Sequence, residues 1–157
     1  MAWVRRGERG AAALEFALLM PLLLALVFGI IAYGYMFSFR QALSQAASEG
    51  ARAAVGGPTT GCAAANWNAA GCAPGTAAAN AINGVVSGYR NRGTTLACGA
   101  GSLTCTIAQS ASCATGHTCV AVTVSYPYRS NSLLPTVPGF GFTLPSTLSF
   151  TSVVQVS

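Results

Sequence analysis

Hydrophobic and polar positions are spread very unevenly along this chain. Met1–Gly10 is short and basic, with Arg5, Arg6 and Arg9 against Glu8, whereas Ala11–Phe39 is apolar apart from Glu15. The 24 residues from Phe16 to Phe39 carry no charge. As a helix they rise roughly 36 Å, enough to cross a hydrocarbon core of about 30 Å. Tyr33, Tyr35, Phe37 and Phe39 crowd one end of this run and Trp3 lies near the other, where aromatic belts form. Gln41–Val55 stays rich in alanine and leucine without proline, and Gly56-Gly57-Pro58 stops it. The pattern predicts one helix from about Ala11 to Val55, long enough to project beyond a bilayer. Pro21 lies inside it, where it removes a backbone hydrogen bond and favours a kink that membrane helices tolerate.

Beyond Pro58 the pattern changes. Thr59–Thr76 is rich in Gly, Ala and Asn and reads as a loop closed by Cys62 and Cys72. Thr76 is placed to cap a short helix, Ala77–Tyr89, which Asn91-Arg92-Gly93 ends. Val120, Val122, Val124, Tyr126 and Tyr128 then alternate with smaller or polar residues, the period of a strand. Leu103, Cys105 and Ile107 suggest a partner strand, and Leu148, Phe150, Val154 and Val156 a third. Ser130–Phe142, with two prolines, reads as a crossing loop. The predicted fold class is α+β: a long N-terminal transmembrane helix followed by a small, disulfide-bonded head with an antiparallel sheet. The divisions are a leader at 1–10, a transmembrane and projecting helix at 11–55, and a head at 56–157.

Charge narrows the function classes. The chain has 157 residues and a net charge of +5, yet only 7% of residues are charged. The arginines are scattered rather than gathered in a stripe, so no nucleic-acid partner is expected. Glu8, Glu15 and Glu49 are the only acids and His117 the only histidine. Without the leader, no pair of soluble carboxylates remains for acid–base work, and no enzyme activity and no cofactor are expected.

Six cysteines follow the apolar run and none precedes it: Cys62, Cys72, Cys98, Cys105, Cys113 and Cys119. An even set on one side of a membrane segment suits three disulfides in an oxidising compartment, with 15 connectivities open. A local Cys62–Cys72 bridge is favoured, with the other four forming two bridges around the strands. The competing reading is a zinc site from Cys105, Cys113, His117 and Cys119, whose ligand types suit the metal but whose tight spacing and location do not. A nucleophilic cysteine beside His117 lacks an orienting acid, and His117 reads as a solvated loop residue. Three arginines before the run and two after it (Arg40, Arg52) give a weak positive-inside bias, which the cysteines reinforce. The N-terminus is read as cytoplasmic and the head as extracytoplasmic in a single-pass membrane protein.

Two features of the helix point to assembly. Ala42, Ala46, Gly50 and Ala54 recur every four residues, and small residues at that spacing let backbones approach closely. This ridge packs either on the chain's own sheet or on a neighbouring subunit. The second feature is Glu15, five residues after Gly10 and the only acid in the apolar run. A carboxylate at a membrane helix centre costs about 2.5–3.5 kcal/mol on insertion scales and reads as functional by default. The bland alternative is an incidental acid near the end of a signal anchor.

Basic residues, Gly10, Glu15 and a spanning run together resemble the processing site of type IV prepilins. That resemblance implies cleavage between Gly10 and Ala11 by a membrane prepilin peptidase of the aspartyl type. The new amine at Ala11 could then pair with Glu15 of a neighbouring subunit, offsetting the cost of the buried charge and rewarding the correct stagger. More narrowly, Gly10–Phe16 with its Glu15-Phe16 pair, Pro21 and Ala47-Ser48-Glu49-Gly50-Ala51-Arg52 resemble TadE-type minor pseudopilins of tight-adherence (Flp) pilus systems. Residues 5–55 carry that likeness well and 118–157 loosely, while the cysteine-rich middle has no counterpart. The resemblance implies a minor structural subunit, with other pilins or pseudopilins, the inner-membrane assembly platform and the lipid bilayer as partners. The alternatives are a minor pseudopilin of a type II secretion system and an uncleaved, membrane-anchored extracellular binding module.

Overall fold

A computed structural model describes residues 6–56, 62, 67–68, 71–110, 119–134 and 144–155. Helix α1 runs Arg6–Ala54 and helix α2 Ala73–Val86. The strands are β1 (Arg90–Asn91), β2 (Thr94–Thr95), β3 (Thr104–Ser110), β4 (Cys119–Tyr126) and β5 (Leu148–Gln155). The chain forms two compact units, Met1–Phe37 and Ser38–Ser157. The first holds most of the apolar run. The second, the head, begins within α1 and contains every other element.

The head is built on an antiparallel sheet in the order β3-β4-β5. Register sets Cys105, Val124 and Phe150 in one row and Ile107, Val122 and Ser152 in the next. Strand alternation turns Val120, Val122, Val124 and Tyr126 inward, and all four are fully buried. Against this face lie Phe39, Leu43, Ala46, Ala47, Gly50, Ala51 and Ala54 of α1, all buried. Their three- and four-residue spacing gives α1 a single buried stripe over the stretch that belongs to the head. From α2, Ala78, Ile82 and Val86 complete the core. A fully buried aliphatic or aromatic side chain contributes about 1.5–3 kcal/mol, so this small core rests on few residues.

The outer face of the sheet is different in kind. Its rows are Thr104–Ser125–Ser149, Thr106–Thr123–Thr151 and Ala108–Ala121–Val153. The Thr123 and Thr151 hydroxyls are hydrogen-bonded at 2.8 Å. Thr and Ser satisfy both demands of a solvated strand face, β propensity and polarity.

Several local expectations need correction. α1 begins at Arg6, before the expected Ala11, although Gly7 and Gly10 are weak helix formers. α2 starts at Ala73, not Ala77, with Pro74 in its first turn. Proline is pre-set for that position, whose N–H has no intrahelical partner in any case. Thr76 therefore does not cap the helix; its hydroxyl donates back to the Cys72 carbonyl at 3.1 Å. The helix ends at Val86, short of Tyr89, and Asn91-Arg92-Gly93 belongs to a hairpin instead. Arg90 pairs with Thr95 and Asn91 with Thr94. Arg92 and Gly93 both take positive φ, 48° and 86°. Two left-handed residues between paired strands are what a tight two-residue hairpin turn requires.

Cys62 is bonded to Cys72 and Cys98 to Cys105. Cys119 is also disulfide-bonded. Cys113, His117, Val156 and residues 135–142 of the predicted crossing loop lie outside the described residues. The Cys62–Cys72 bridge closes a loop that carries Trp67 and Asn68 to the outer edge of β3. There the Trp67 N–H donates to the Ile107 carbonyl at 2.8 Å. The Asn68 side chain donates to the Cys105 carbonyl at 2.6 Å and accepts from the Ile107 N–H at 2.9 Å. A side-chain amide thus takes the place of a fourth strand and closes an edge that would otherwise be open for pairing. Gly75 permits the approach of this loop, since a Cβ there would overlap the Trp67 carbonyl.

Candidate functional site on the N-terminal helix

The residues that carry the assembly reading lie on the first unit. Gly10, Ala11 and Glu15 are helical and exposed. Ala11 and Glu15 are four residues apart, so on a helix they occupy the same face, one turn apart. A Cβ at Gly10 would meet no atom within 4 Å, so no packing within the chain demands glycine there.

Around Glu15 the helix is apolar on every face. Leu14, Phe16, Leu18, Leu19, Leu22, Leu23 and Leu26 are between 60% and 71% exposed. An apolar surface of that extent, unrelieved by a polar side, is that of a helix made for lipid or for a bundle of like helices. The stretch qualifies as a candidate membrane span by length and composition. Pro21 sits within the helix. It leaves the Ala17 carbonyl without its usual intrahelical donor.

The small-residue ridge has a different environment. Ala46, Gly50 and Ala54 are buried in the head, and Ala42 is half-buried. A Cβ at Gly50 would lie 2.8 Å from Ile82 Cγ1 and 3.2 Å from Val122 Cγ1. The helix thus approaches α2 and the sheet more closely there than any side chain would allow.

The aromatic end of the apolar run also divides. Phe37 is 53% exposed, but Phe39 is fully buried. Phe39 belongs to the head core rather than to a lipid-facing belt. Its ring centroid is 4.9 Å from that of Tyr89, 5.1 Å from Tyr126 and 6.1 Å from Tyr128. Tyr89 also shares a 3.0 Å hydrogen bond with Ser38. Sequence reasoning placed Tyr126 and Tyr128 on a strand but missed this cluster. Only the contact between distant segments creates it.

A cavity of about 350 Å³ lies between α2 and β3, lined by Asn68, Thr76, Asn80, Leu103, Thr104 and Ile107 among others. None of its lining residues is charged, and it offers hydrogen bonds without an acid, base or nucleophile. Among the described residues no group of three His, Cys, Asp or Glu side chains is placed to hold a metal.

No curated protein and no solved structure matches the chain. Residues 53–157, which include most of the head, lie outside the family match as well. The helix that carries Gly10, Glu15, Pro21 and Gly50 is the part with recognisable relatives: residues 10–52 match the model of the TadE-like protein family.

Proposed function

We propose that this chain is a minor pilin-like, TadE-type structural subunit that serves assembly of a tight-adherence pilus. In this reading it is made with a cytoplasmic leader, processed by a prepilin peptidase after Gly10, and displays its disulfide-bonded head outside the membrane. The observation that carries it is the family match itself, which begins at Gly10 and takes in Glu15 on a helix with exposed apolar surface. The match supports a role with such pili in general. The specific role follows from the chemistry of the N-terminus.

Cleavage would leave an ammonium at Ala11, one helical turn from a carboxylate that is expensive to hold in lipid. Parallel subunits shifted along their axes can bring the amine of one to Glu15 of the next. Pairing then offsets part of the desolvation cost of both ions. The head adds what a shaft subunit does not need, a stable folded body, and so fits a minor component that primes, caps or anchors the filament. Other pilins, the inner-membrane platform and the peptidase are the partners this reading requires.

The test is the N-terminal sequence of the protein recovered from membranes of a host with its own prepilin peptidase. The expected start is Ala11. A start at Met1 or Ala2 would overturn the prepilin reading and favour the anchored binding module. A Glu15→Ala variant that is cleaved normally and still enters pili at the parental level would remove the role given to Glu15.

A further inference from the structure

Folding gathers arginines that the sequence scatters. The head contains five, Arg40, Arg52, Arg90, Arg92 and Arg129, and one acid, Glu49. Four of the five lie beside the aromatic cluster at its first residues. Arg40 follows Phe39 and stands 5.7 Å over the Phe150 ring. Arg90 follows Tyr89, whose ring packs tilted against Phe39 and whose hydroxyl shares a hydrogen bond with Ser38. Arg92 is at the tip of the same hairpin. The hairpin is tied to the next segment by Asn91, whose amide donates to Asn131 at 3.4 Å. Arg129 follows Tyr128 there and donates to the Leu144 carbonyl through Nε and Nη2. All four arginines are exposed. Asn91 points into the head and is buried, so alternation sends Arg90 outward. Glu49 and Arg52 lie nine and twelve residues further along α1 than Arg40, about 13 and 18 Å away along the axis.

This end of the head is also where the chain leaves the apolar run. Arg40 is the first charge after Glu15, so the hydrocarbon boundary falls at or before it. The headgroup layer beyond that boundary is about 5–8 Å deep on each side. Tyr89, whose ring centroid is 4.9 Å from that of Phe39, ties the hairpin root to the residue before Arg40. Attraction between surface charges reaches about 8 Å at physiological ionic strength.

We infer that Arg40, Arg90, Arg92 and Arg129 form a basic collar that seats the head on the anionic phospholipid headgroups of the membrane its own helix crosses. Charge complementarity carries the choice of occupant: four exposed arginines lie within three residues of Phe39, Tyr89 or Tyr128, and Glu49, the acid of the head, is more than two helical turns along α1 from Arg40. Guanidinium forks match phosphate oxygens, and the tyrosines beside them suit the same interfacial layer. Arg90, Arg92 and Arg129 reach this position only after the head folds. They therefore act on the seated state and take no part in setting orientation during insertion.

The inference rests on the membrane-span reading, so the test separates the two. The full chain carrying Thr94→Trp on the hairpin is reconstituted in vesicles of phosphatidylcholine, with or without phosphatidylglycerol, containing a headgroup-labelled nitroxide lipid. Carbonate extraction reports the span by itself. Protein extracted by carbonate would refute the span; protein retained makes the quenching a test of the collar alone. With phosphatidylglycerol present, the quenching above that of the Thr94 parent is expected to increase, and 0.5 M salt to reverse it. Arg90→Gln with Arg92→Gln is expected to lower the ratio of seated to unseated head by about fivefold per arginine. An unchanged circular dichroism spectrum shows that the head still folds. Quenching equal in neutral and anionic vesicles, or insensitive to the double substitution, overturns the proposal and leaves the collar to an acidic protein surface.

Discussion

One helix serves two solvents. Over residues 10–33 its large apolar side chains are exposed on all sides, whereas from Phe39 to Ala54 it buries a single stripe of mostly small ones. Size tracks environment. In lipid, bulky leucines gain from contact all round and no backbone needs to approach closely. In the head, alanine and glycine bring α1 against Ile82 and Val122, and the bulk comes from the partner elements. A run of hydrophobic residues therefore says little about burial within the chain. The size pattern along the run says more.

The sharpest way to break this comparison is to remove the largest side chain of the buried stripe. Phe39→Ala should lower head stability by about 3–5 kcal/mol, read by denaturant unfolding in detergent with the buried Trp67 as probe, and leave membrane insertion intact. The mirror experiment is Leu26→Arg, at a site 60% exposed in the apolar run. It should cost about 2.5–3.5 kcal/mol in an insertion assay and leave head unfolding unchanged. A head destabilised by Leu26→Arg would show that the two units are not independent. The smallest effect compares glycines. At Gly29 a Cβ meets nothing within 4 Å, and Gly29→Ala should leave the head untouched. Gly50→Ala gains about 1 kcal/mol of helix propensity but overlaps Ile82, and overpacking costs about 1–3 kcal/mol. The expected outcome is a net loss on the order of 1 kcal/mol in the same unfolding assay.

Legibility in the sequence follows the same division. Length and apolarity made α1 readable, because a helix in lipid depends on its own residues alone. Strict alternation made β4 readable, and β3 and β5 followed as its partners. The misreadings occur where a residue serves a distant contact. Phe39 looked like a member of an interfacial belt because its neighbours Tyr33, Tyr35 and Phe37 have that pattern. Its burial depends on Tyr89 and Tyr126, which no local window contains. Asn91-Arg92-Gly93 carried a correct turn signal, but only the pairing of Arg90 with Thr95 turns that signal into a hairpin. The start of α2 was missed because Thr59–Thr76 reads as one loop rich in Gly, Ala and Asn, with Thr76 as a cap. Proline is at home in a first turn, and Gly75 is there to admit the Trp67 carbonyl. Gly10 and Glu15 stood out for the opposite reason: both are exposed, and a Cβ at Gly10 meets no atom within 4 Å.

The amide of Asn68 at the edge of β3 has a bearing on the order of events in biogenesis. Its two hydrogen bonds are available only once the loop closed by Cys62 and Cys72 has docked. Until then the head presents an open edge along β3. Closing the Cys62–Cys72 bridge is then the step that shields one copy from pairing with the next, and a reductant that opens it is expected to bring clumping before the core itself is lost.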